Sequence, residues 1–457
     1  MSTIINCVAI PTCNRPELVN RAVESVVHDA EKSELHPHLL IVDQSDHDVE
    51  REVIARLQGT AARTGAAIYY LGKTRKRFLR AKLNISSALF HDKDESSHSI
   101  PSHAFGSNRN WATLFFAGRR FASFDDDVIV SRHSFVGLSD EMNGGDAGEA
   151  GSFYAYRTRT KLGGRVSQSP HASSSIINEM LQSLDLAPET ALESFAIPGV
   201  VGHSGMASHA LIAETRCPSS RRHLFASDRS HEITLYSTCV VRQNATRTVL
   251  PMTSMISTAF ARKNGLPLWP FITNGRGEDH ILAKCLRAGS VNPYVVNLPF
   301  SVLHAPEHGR IPNATVQVAS ISSILSGLLD WIGTCATLDD LADRLTELVW
   351  SSNWHDALKV AVGEHAKRQA NYCALVASAP DVCSHAFSSL ERLVLEWTSL
   401  HIQCASGRVS PSLSLQLLAA SQIVRRLTLL VRDWDQCWHE WRCRADEIWH
   451  DCLVTNH

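Results

Sequence analysis

Three consecutive aspartates, Asp125, Asp126 and Asp127, follow an apolar run in the segment FASFDDDVIV. Because successive side chains of an extended chain point to opposite sides, the carboxylates of Asp125 and Asp127 would face the same way. Such a pair can bind Mg²⁺ or Mn²⁺ together with a diphosphate, since these hard cations prefer oxygen ligands, including substrate phosphates. A solvated turn or a helix cap explains the triplet equally well, so the triplet alone does not establish a metal site.

Two more acidic residues, Glu278 and Asp279, follow Gly-Arg-Gly in the segment NGRGEDHILAKCLRAG and open a predicted helix. A carboxylate beside a substrate pocket can take the proton from an attacking hydroxyl, so this pair offers a candidate general base. The simpler explanation is that carboxylates at a helix N-terminus complement the helix dipole.

A histidine, His304, ends a predicted strand in the segment NLPFSVLHAPEHGR. Imidazole suits Mn²⁺ better than Mg²⁺, so His304 is a candidate third metal ligand beside the aspartates. A lone histidine is more often a structural residue of the core or the surface. The metal hypothesis therefore requires a fold that brings these distant segments together.

Strands and helices alternate in the N-terminal part of the chain. The predicted strands are IINCVAI, HLLIVD and AIYYLG, and helices are predicted from Pro16 to about Ala30 and from about Val49 to Gly65. This βαβαβ pattern predicts an α/β fold with a mostly parallel sheet. Ligands of such sheets bind at the carboxyl ends of the strands, where the loops PTCNR and DQSDHD lie.

The pattern becomes helical after about residue 315, so we predict two domains, residues 1–315 and residues 316–457. The second domain is predicted to be a helical bundle, because its long segments are amphipathic. Trp434, Trp438 and Trp441 fall at i, i+4 and i+7, which indicates one buried helical stripe rather than a ligand site. These helices could form a homo-oligomer interface, hold a partner or cover an acceptor site.

The bulk composition is that of a globular protein, with 44% hydrophobic and 20% charged residues. A net charge of −2 argues against a general nucleic-acid binder. No run of about 18 apolar residues and no secretory signal are present, so we expect no transmembrane segment and a cytoplasmic location. The twelve cysteines are scattered without the spacing of a zinc site.

A basic segment, LGKTRKRFLRAKL, carries six lysines and arginines between residues 73 and 82. A solvated basic face is the simplest interpretation. Two functional alternatives are contact with a diphosphate and docking of an anionic acceptor. The second includes a lipid phosphate, so peripheral membrane contact is an open expectation.

Five segments stand in order along the chain, namely VAIPTCNRPELVNRAVESV, LLIVDQSDHD, GSNRNWATLFFAGRRFASFDDDV, GEDHILAKCLRAG and VLHAPEHG. Together they resemble the GT-A glycosyltransferases, most closely the large inverting family 2-like bacterial sugar transferases. The resemblance covers roughly residues 3–315, and VDQSD stands where that family usually has VDDGS.

The resemblance implies a GT-A fold and a metal-dependent, inverting transfer of a sugar from a nucleoside-diphosphate sugar to an acceptor hydroxyl. It implies Mn²⁺ or Mg²⁺ as cofactor, with a UDP-sugar favoured over GDP- and dTDP-sugars. The implied roles are nucleotide binding by Pro11, Thr12, Arg15, Asp43, Arg109, Asp125 and Asp126, metal binding by Asp125, Asp127 and His304, and catalysis by Asp279 as base with Glu278 holding the acceptor.

Three alternatives stay open at this point. A retaining transferase on the same fold would not need Asp279 as base. A nucleotidyltransferase would also use a parallel sheet and carboxylate-bound Mg²⁺, although PTCNR is not the Gly-rich phosphate loop that such enzymes normally carry. A non-catalytic nucleotide-sugar-binding protein would bind the donor without turnover.

Overall fold

The computed structural model describes residues 7–33, 36–83, 105–135, 152–156, 166–168, 174–203, 227–228, 239–243, 246–252, 258–273, 277–289, 291–306, 320–380 and 382–454. The strands are β1 (Cys7–Thr12), β2 (His38–Asp43), β3 (Ala67–Leu71), β4 (Phe121–Phe124), β5 (Val128–Phe135), β6 (Ser152–Tyr156), β7 (Val166–Gln168), β8 (Ser194–His203), β9 (Cys239–Gln243), β10 (Thr248–Pro251), β11 (Ala259–Arg262) and β12 (Tyr294–His304).

The helices alternate with the strands at first and then follow one another. They are α1 (Pro16–Glu31), α2 (His47–Thr64), α3 (Lys73–Lys82), α4 (Phe105–Phe115), α5 (Ile176–Ser183), α6 (Glu278–Ala288), α7 (Ile321–Ile332), α8 (Leu338–Trp350), α9 (Trp354–Ala377), α10 (Ser384–Ser406), α11 (Pro411–Cys443) and α12 (Ala445–Cys452).

The described strands form one sheet, and nine of them lie in the order β3–β2–β1–β4–β11–β8–β12–β5–β7. Within this described row, seven strands run in one direction, and only β11 and β5 run the other way. The predicted fold class is therefore confirmed, with a mostly parallel α/β sheet followed by a C-terminal helical region. The predicted boundary between residues 315 and 316 lies outside the described residues.

Local signals in the sequence fix several element ends. Pro16 occupies the first turn of α1, where its missing N–H costs no hydrogen bond. Gly65 ends α2 with a left-handed φ of 68°, a conformation that favours glycine. Thr337 caps α8 by accepting a hydrogen bond from the Asp340 N–H.

The two faces of the sheet bury different partners, as the alternation within β1 illustrates. Val8 and Ile10 face a cluster that includes side chains of α1, α2 and α5. Cys7 and Ala9 face the opposite cluster, which joins α4 to the C-terminal helices. This second cluster is continuous from the sheet into α11 and α12.

The tryptophan stripe of α11 lies in this continuous core. Trp434, Trp438 and Trp441 are all buried, which confirms the predicted core position. The ring of Trp441 lies 5.6 Å from that of Trp111 on α4, and the indole of Trp449 donates a hydrogen bond to the Phe115 carbonyl. The C-terminal helices thus support the helix that carries Arg109. In the described ranges, no helix has the length and apolar character required to span a bilayer.

Candidate functional site

The predicted site residues meet at the carboxyl edge of the sheet. Thr12 and Asp43 are neighbours at the ends of the parallel strands β1 and β2. The strand β4 runs parallel to β1 on its other side and ends immediately before Asp125. The fold therefore brings the PTCNR loop and the end of β2 to one edge, as the βαβ pattern predicted, and the aspartates lie at the same edge.

The PTCNR loop closes directly on the aspartate triplet. The Thr12 hydroxyl donates to Asp126 at 2.7 Å, and the Arg15 guanidinium donates to the other oxygen of Asp126 at 3.0 Å. The same Arg15 nitrogen lies 3.6 Å from a carboxylate oxygen of Asp127. Arg15 thus places a positive charge beside two of the aspartates, and Pro11, the first residue of the PTCNR segment, lies buried in β1.

The third aspartate is paired with the predicted histidine. His304 Nε2 lies 3.0 Å from Asp127 Oδ1, and both side chains are buried. Two ligands that bind one octahedral cation at about 2.1 Å and at right angles lie about 3 Å apart, so the pair fits a shared cation. Among the described residues no cluster of three or more His, Cys, Asp or Glu side chains could hold a metal. Mg²⁺ is usually bound by only one or two carboxylates together with substrate phosphates and water.

The backbone at His304 is held by strands on both sides. His304 pairs with Val128 of β5 and with Gly202 of β8, and the Ala305 N–H donates to the Asp127 carbonyl at 2.7 Å. Gly202 has a φ of +126°, and a Cβ there would lie 2.1 Å from the His304 carbonyl oxygen. Sequence reasoning missed Gly202, because the requirement arises only from strand pairing across about 100 residues of chain.

Arg109 pairs with two carboxylates at this edge, and its implied contact with the nucleotide base stays a prediction. Its guanidinium donates to Asp125 at 3.0 Å and lies 3.6 Å from a carboxylate oxygen of Glu278. It therefore joins the aspartate triplet to the start of α6. The neighbouring Asn110 side chain bonds both the N–H and the carbonyl of Phe271, which fastens the segment before α6 to α4.

The two acidic residues of α6 differ in exposure. Glu278 is buried against Arg109, whereas Asp279 is partly exposed and accepts a hydrogen bond from the His280 N–H at 2.8 Å. The first three residues of NGRG lie outside the described residues. Gly277 has a φ of +84°, and a Cβ there would lie 3.0 Å from the Ser322 side chain of α7. The C-terminal helical region thus borders the side of the site where Asp279 lies.

Asp43 is fully buried, and both of its carboxylate oxygens are engaged. One accepts hydrogen bonds from the Ser45 N–H and hydroxyl at 2.7 and 2.5 Å, and the other accepts the Tyr70 hydroxyl at 2.6 Å. These bonds shape the loop that follows β2. Direct contact between Asp43 and a nucleotide base stays a prediction.

Lys76 is a buried site residue that sequence reasoning assigned to a solvated face. Its ammonium group donates to the Asp43 carbonyl at 2.7 Å and to the Asn108 side chain at 2.8 Å. Asn108 in turn donates to the Thr12 carbonyl at 3.2 Å. The available signal was helical spacing, since Lys76 shares the buried stripe of α3 with Leu79 and precedes it by three residues.

Burial dominates the acid–base behaviour of the triplet. Burial, with a smaller contribution from the carboxylates of Asp127 and Asp126, raises the pKa of Asp125 to about 7 against the opposing charge of Arg109. Burial likewise raises the pKa of Asp126 to about 6 against the opposing charge of Arg15. A cation placed beside these groups would favour their charged forms.

Comparisons with known proteins assign no family. No family model matches the chain, and no curated protein sequence matches it. Among solved structures the chain is similar to the mannosyltransferase PcManGT from Pyrobaculum calidifontis in complex with GDP-Man and Mn²⁺. The identity is 12% over 91% of this chain and 86% of that chain, with a TM-score of 0.31. A likeness this distant carries no functional assignment, so the function must be argued from the site's own residues.

Proposed function

We propose that the chain is a metal-dependent glycosyltransferase that moves a sugar from a nucleoside-diphosphate sugar to an acceptor hydroxyl. The observation that carries this proposal is the buried Asp127–His304 pair, whose 3.0 Å separation suits two ligands of one octahedral cation. The pair lies beside Arg15 at the carboxyl edge of the sheet, which is where ligands of parallel α/β sheets bind.

The donor side of the site combines the carboxylates of Asp125 and Asp127 with the partly exposed guanidinium of Arg15. In the proposal Asp127 and His304 hold Mn²⁺ or Mg²⁺, and Asp125 lies near the ribose and the cation. The bound cation would act as a Lewis acid that offsets the charge of the leaving diphosphate. Arg15 now neutralises Asp126, and we propose that it turns toward the diphosphate when a donor and a cation are present.

The acceptor side is assigned to the start of α6. Asp279 takes the proton from the acceptor hydroxyl as that oxygen forms a bond to the anomeric carbon. The bond between that carbon and the diphosphate oxygen breaks at the same step, and the nucleoside diphosphate leaves. Attack from the opposite face of the sugar would invert the anomeric centre. Glu278 holds the acceptor side in place through Arg109.

The nucleotide pocket is assigned to the ends of β1 and β2. Thr12 and the loop after Asp43 would border the base. Lys76 and Asn108 link the ends of β1 and β2, because Lys76 donates to the Asp43 carbonyl and to Asn108, and Asn108 donates to the Thr12 carbonyl. A UDP-sugar is the favoured donor on the family resemblance alone, so GDP- and dTDP-sugars belong in the same test. The proposal includes no nucleic-acid partner.

The test is release of nucleoside diphosphate from a panel of UDP-, GDP- and dTDP-sugars, with Mn²⁺, Mg²⁺ or EDTA. We expect metal-dependent release from one donor class. Asp279→Asn should keep donor binding by calorimetry but lose transfer to an acceptor, and Asp435→Asn on the exposed surface of α11 serves as its control. Absence of both release and nucleotide binding would overturn the proposal, and normal turnover by Asp279→Asn would remove that residue from the base role.

A further inference from the structure

An arginine on α1 reaches the turn that follows the proposed metal ligand His304. Arg21 lies in the second turn of α1, and its guanidinium donates a hydrogen bond to the carbonyl of Ala305, the residue after His304. Within the described ranges the Arg21 guanidinium forms no ion pair with an acidic side chain. The Ala305 carbonyl is therefore the acceptor that holds this side chain in place.

Ala305 is held at both ends of its backbone. Its N–H donates to the Asp127 carbonyl at 2.7 Å, and its own carbonyl accepts from Arg21. This one residue thus links the backbone of Asp127 to α1. Because His304 immediately precedes Ala305, the two bonds help to fix the backbone from which the imidazole extends toward Asp127.

A second bond fastens the same face of α1 to the neighbouring strand β5. Ser25, four residues after Arg21, accepts a hydrogen bond from the Val130 N–H at 3.0 Å. Residues four apart lie on one face of a helix. Val130 lies two residues beyond Val128, which pairs with His304. One face of α1 therefore binds β5 and the end of β12, the two strands that meet at the proposed metal pair.

Packing alone accounts for the attachment of α1 to the sheet. The apolar side chains of α1 that are buried in the cluster on this face of the sheet are Val19, Ala22, Val23, Val26 and Val27. The bond from Arg21 reaches beyond this cluster to a single carbonyl beside a proposed metal ligand. Attachment of the helix therefore does not explain why a charged side chain is used at this position.

We propose that Arg21 is a positioning residue for metal binding. By holding the Ala305 carbonyl, it keeps the His304 imidazole at the distance from Asp127 that a shared cation requires. This inference rests on the proposed function, which assigns the cation to Asp127 and His304. The two ligands come from different segments, so a shift of either backbone changes the distance between them.

The test is titration of the full chain with Mn²⁺, alone and with saturating UDP, GDP or dTDP, with free Mn²⁺ measured by electron paramagnetic resonance. Arg21→Met keeps an unbranched side chain but removes the donor. We expect it to weaken Mn²⁺ binding by about tenfold, since groups that orient metal ligands typically have effects of about 10- to 100-fold. Arg21→Lys restores a charged donor and should recover part of the affinity. Hydrogen exchange of the Ala305 amide, measured without metal, should become faster in Arg21→Met.

Arg63→Met on α2 is the matched control. Arg63 also contacts α1, through an ion pair with Glu24 at 2.7 Å, but its described contacts lie on α1 and α2 alone. This variant should bind Mn²⁺ like the unchanged chain. Asp127→Asn tests the proposed metal site itself and should abolish Mn²⁺ binding. Circular dichroism and melting temperature check that each variant folds.

Unchanged Mn²⁺ affinity in Arg21→Met, with binding lost in Asp127→Asn, would overturn the positioning role and leave the proposed function standing. Mn²⁺ binding that survives in Asp127→Asn, or that is absent from the unchanged chain, would overturn both. Equal losses in Arg63→Met would assign the effect to the general attachment of α1 and overturn the positioning role. Weaker binding of the nucleoside diphosphate to Arg21→Met in EDTA would also overturn it, because Arg21 would then contact the ligand directly.

Arg21→Lys carries the same test if Arg21→Met does not fold. A lysine reaches the Ala305 carbonyl less well than an arginine, so Mn²⁺ binding should still weaken measurably. Unchanged Mn²⁺ affinity in Arg21→Lys would then overturn the proposal.

Discussion

At the carboxyl edge of the sheet the buried side chains are ionisable, among them Asp126, Asp127 and His304, whereas the face beneath α11 buries the indoles of Trp434 and Trp441. Burying a carboxylate is unfavourable unless it is paired, and the triplet places three such groups side by side. Burying an indole stabilises the fold by about 25 cal/mol for each Å² of apolar surface removed from water.

The polar edge and the tryptophan face therefore have different roles. The polar edge concentrates groups that weaken the fold and that gain favourable partners when a cation and a diphosphate bind. The tryptophan face contributes stability and holds α4, the helix on which Arg109 lies. If this comparison is right, mutations of the aspartates at the edge should remove activity without lowering stability, and mutations of the tryptophans should do the reverse.

Asp127→Asn should reduce turnover of the nucleotide sugar that the panel identifies as donor by at least about 100-fold. Loss of one group that stabilises the transition state electrostatically typically has an effect of this size. The substitution should leave the melting temperature unchanged or raise it, because the buried Asp127, which adjoins the carboxylates of Asp125 and Asp126, loses its charge. Donor turnover and thermal melting are measured on the same preparation. Asp185→Asn, at an exposed ion pair with Arg120, is the control for both measurements. A large drop in melting temperature would show that the edge also holds the fold.

Trp441→Ala should lower the free energy of unfolding by about 3–5 kcal/mol, since it leaves a large cavity beside Trp111. Urea unfolding measures this change. Trp441→Phe should cost less, because no hydrogen-bond partner of the Trp441 indole N–H lies within the described parts of the chain. Trp331→Ala, at a side chain that is 43% exposed, should change stability by no more than about 0.5 kcal/mol. A similar loss in both alanine variants would contradict the assigned core role.

Gly202→Ala tests whether backbone geometry at β8 supports the proposed metal ligands Asp127 and His304. The added methyl group would meet the His304 carbonyl oxygen, so we expect a loss of about 1–3 kcal/mol of stability and weaker Mn²⁺ binding. Calorimetric titration with Mn²⁺ separates the second effect from the first. Gly265→Ala, where a new Cβ meets nothing within 4 Å, is the control. Unchanged Mn²⁺ affinity in Gly202→Ala would detach His304 from the metal role.

Only part of the site could be predicted from the sequence. Strand ends and helix starts carry local signals, so the positions of the aspartates, Glu278 and His304 followed from periodicity, turn residues and the resemblance. Gly202 gains its role from a strand distant in sequence, and no local pattern encodes such a pairing. Helical spacing with Leu79 indicates that Lys76 is buried, but its partners Asp43 and Asn108 lie on other segments. The contacts of Arg109 with Asp125 and Glu278 likewise depend on how α4 and α6 pack.

The smallest expected effect concerns pH and lies in the helical region. Burial raises the pKa of Asp330, but hydrogen bonds from His365 and Lys284 outweigh burial and hold that pKa well below its usual range. A carboxylate with a lowered folded-state pKa contributes stability above its unfolded pKa of about 4, and this contribution is lost as pH falls further. Asp330 is 35% exposed, so solvent screening keeps the effect small. Urea unfolding between pH 6 and about pH 3 should therefore show a shallower decline in Asp330→Asn than in the unchanged chain. An identical decline would mean that Lys284 and His365 stabilise the Asp330 carboxylate no better than water does. Apolar packing would then be the main source of stability in these helices.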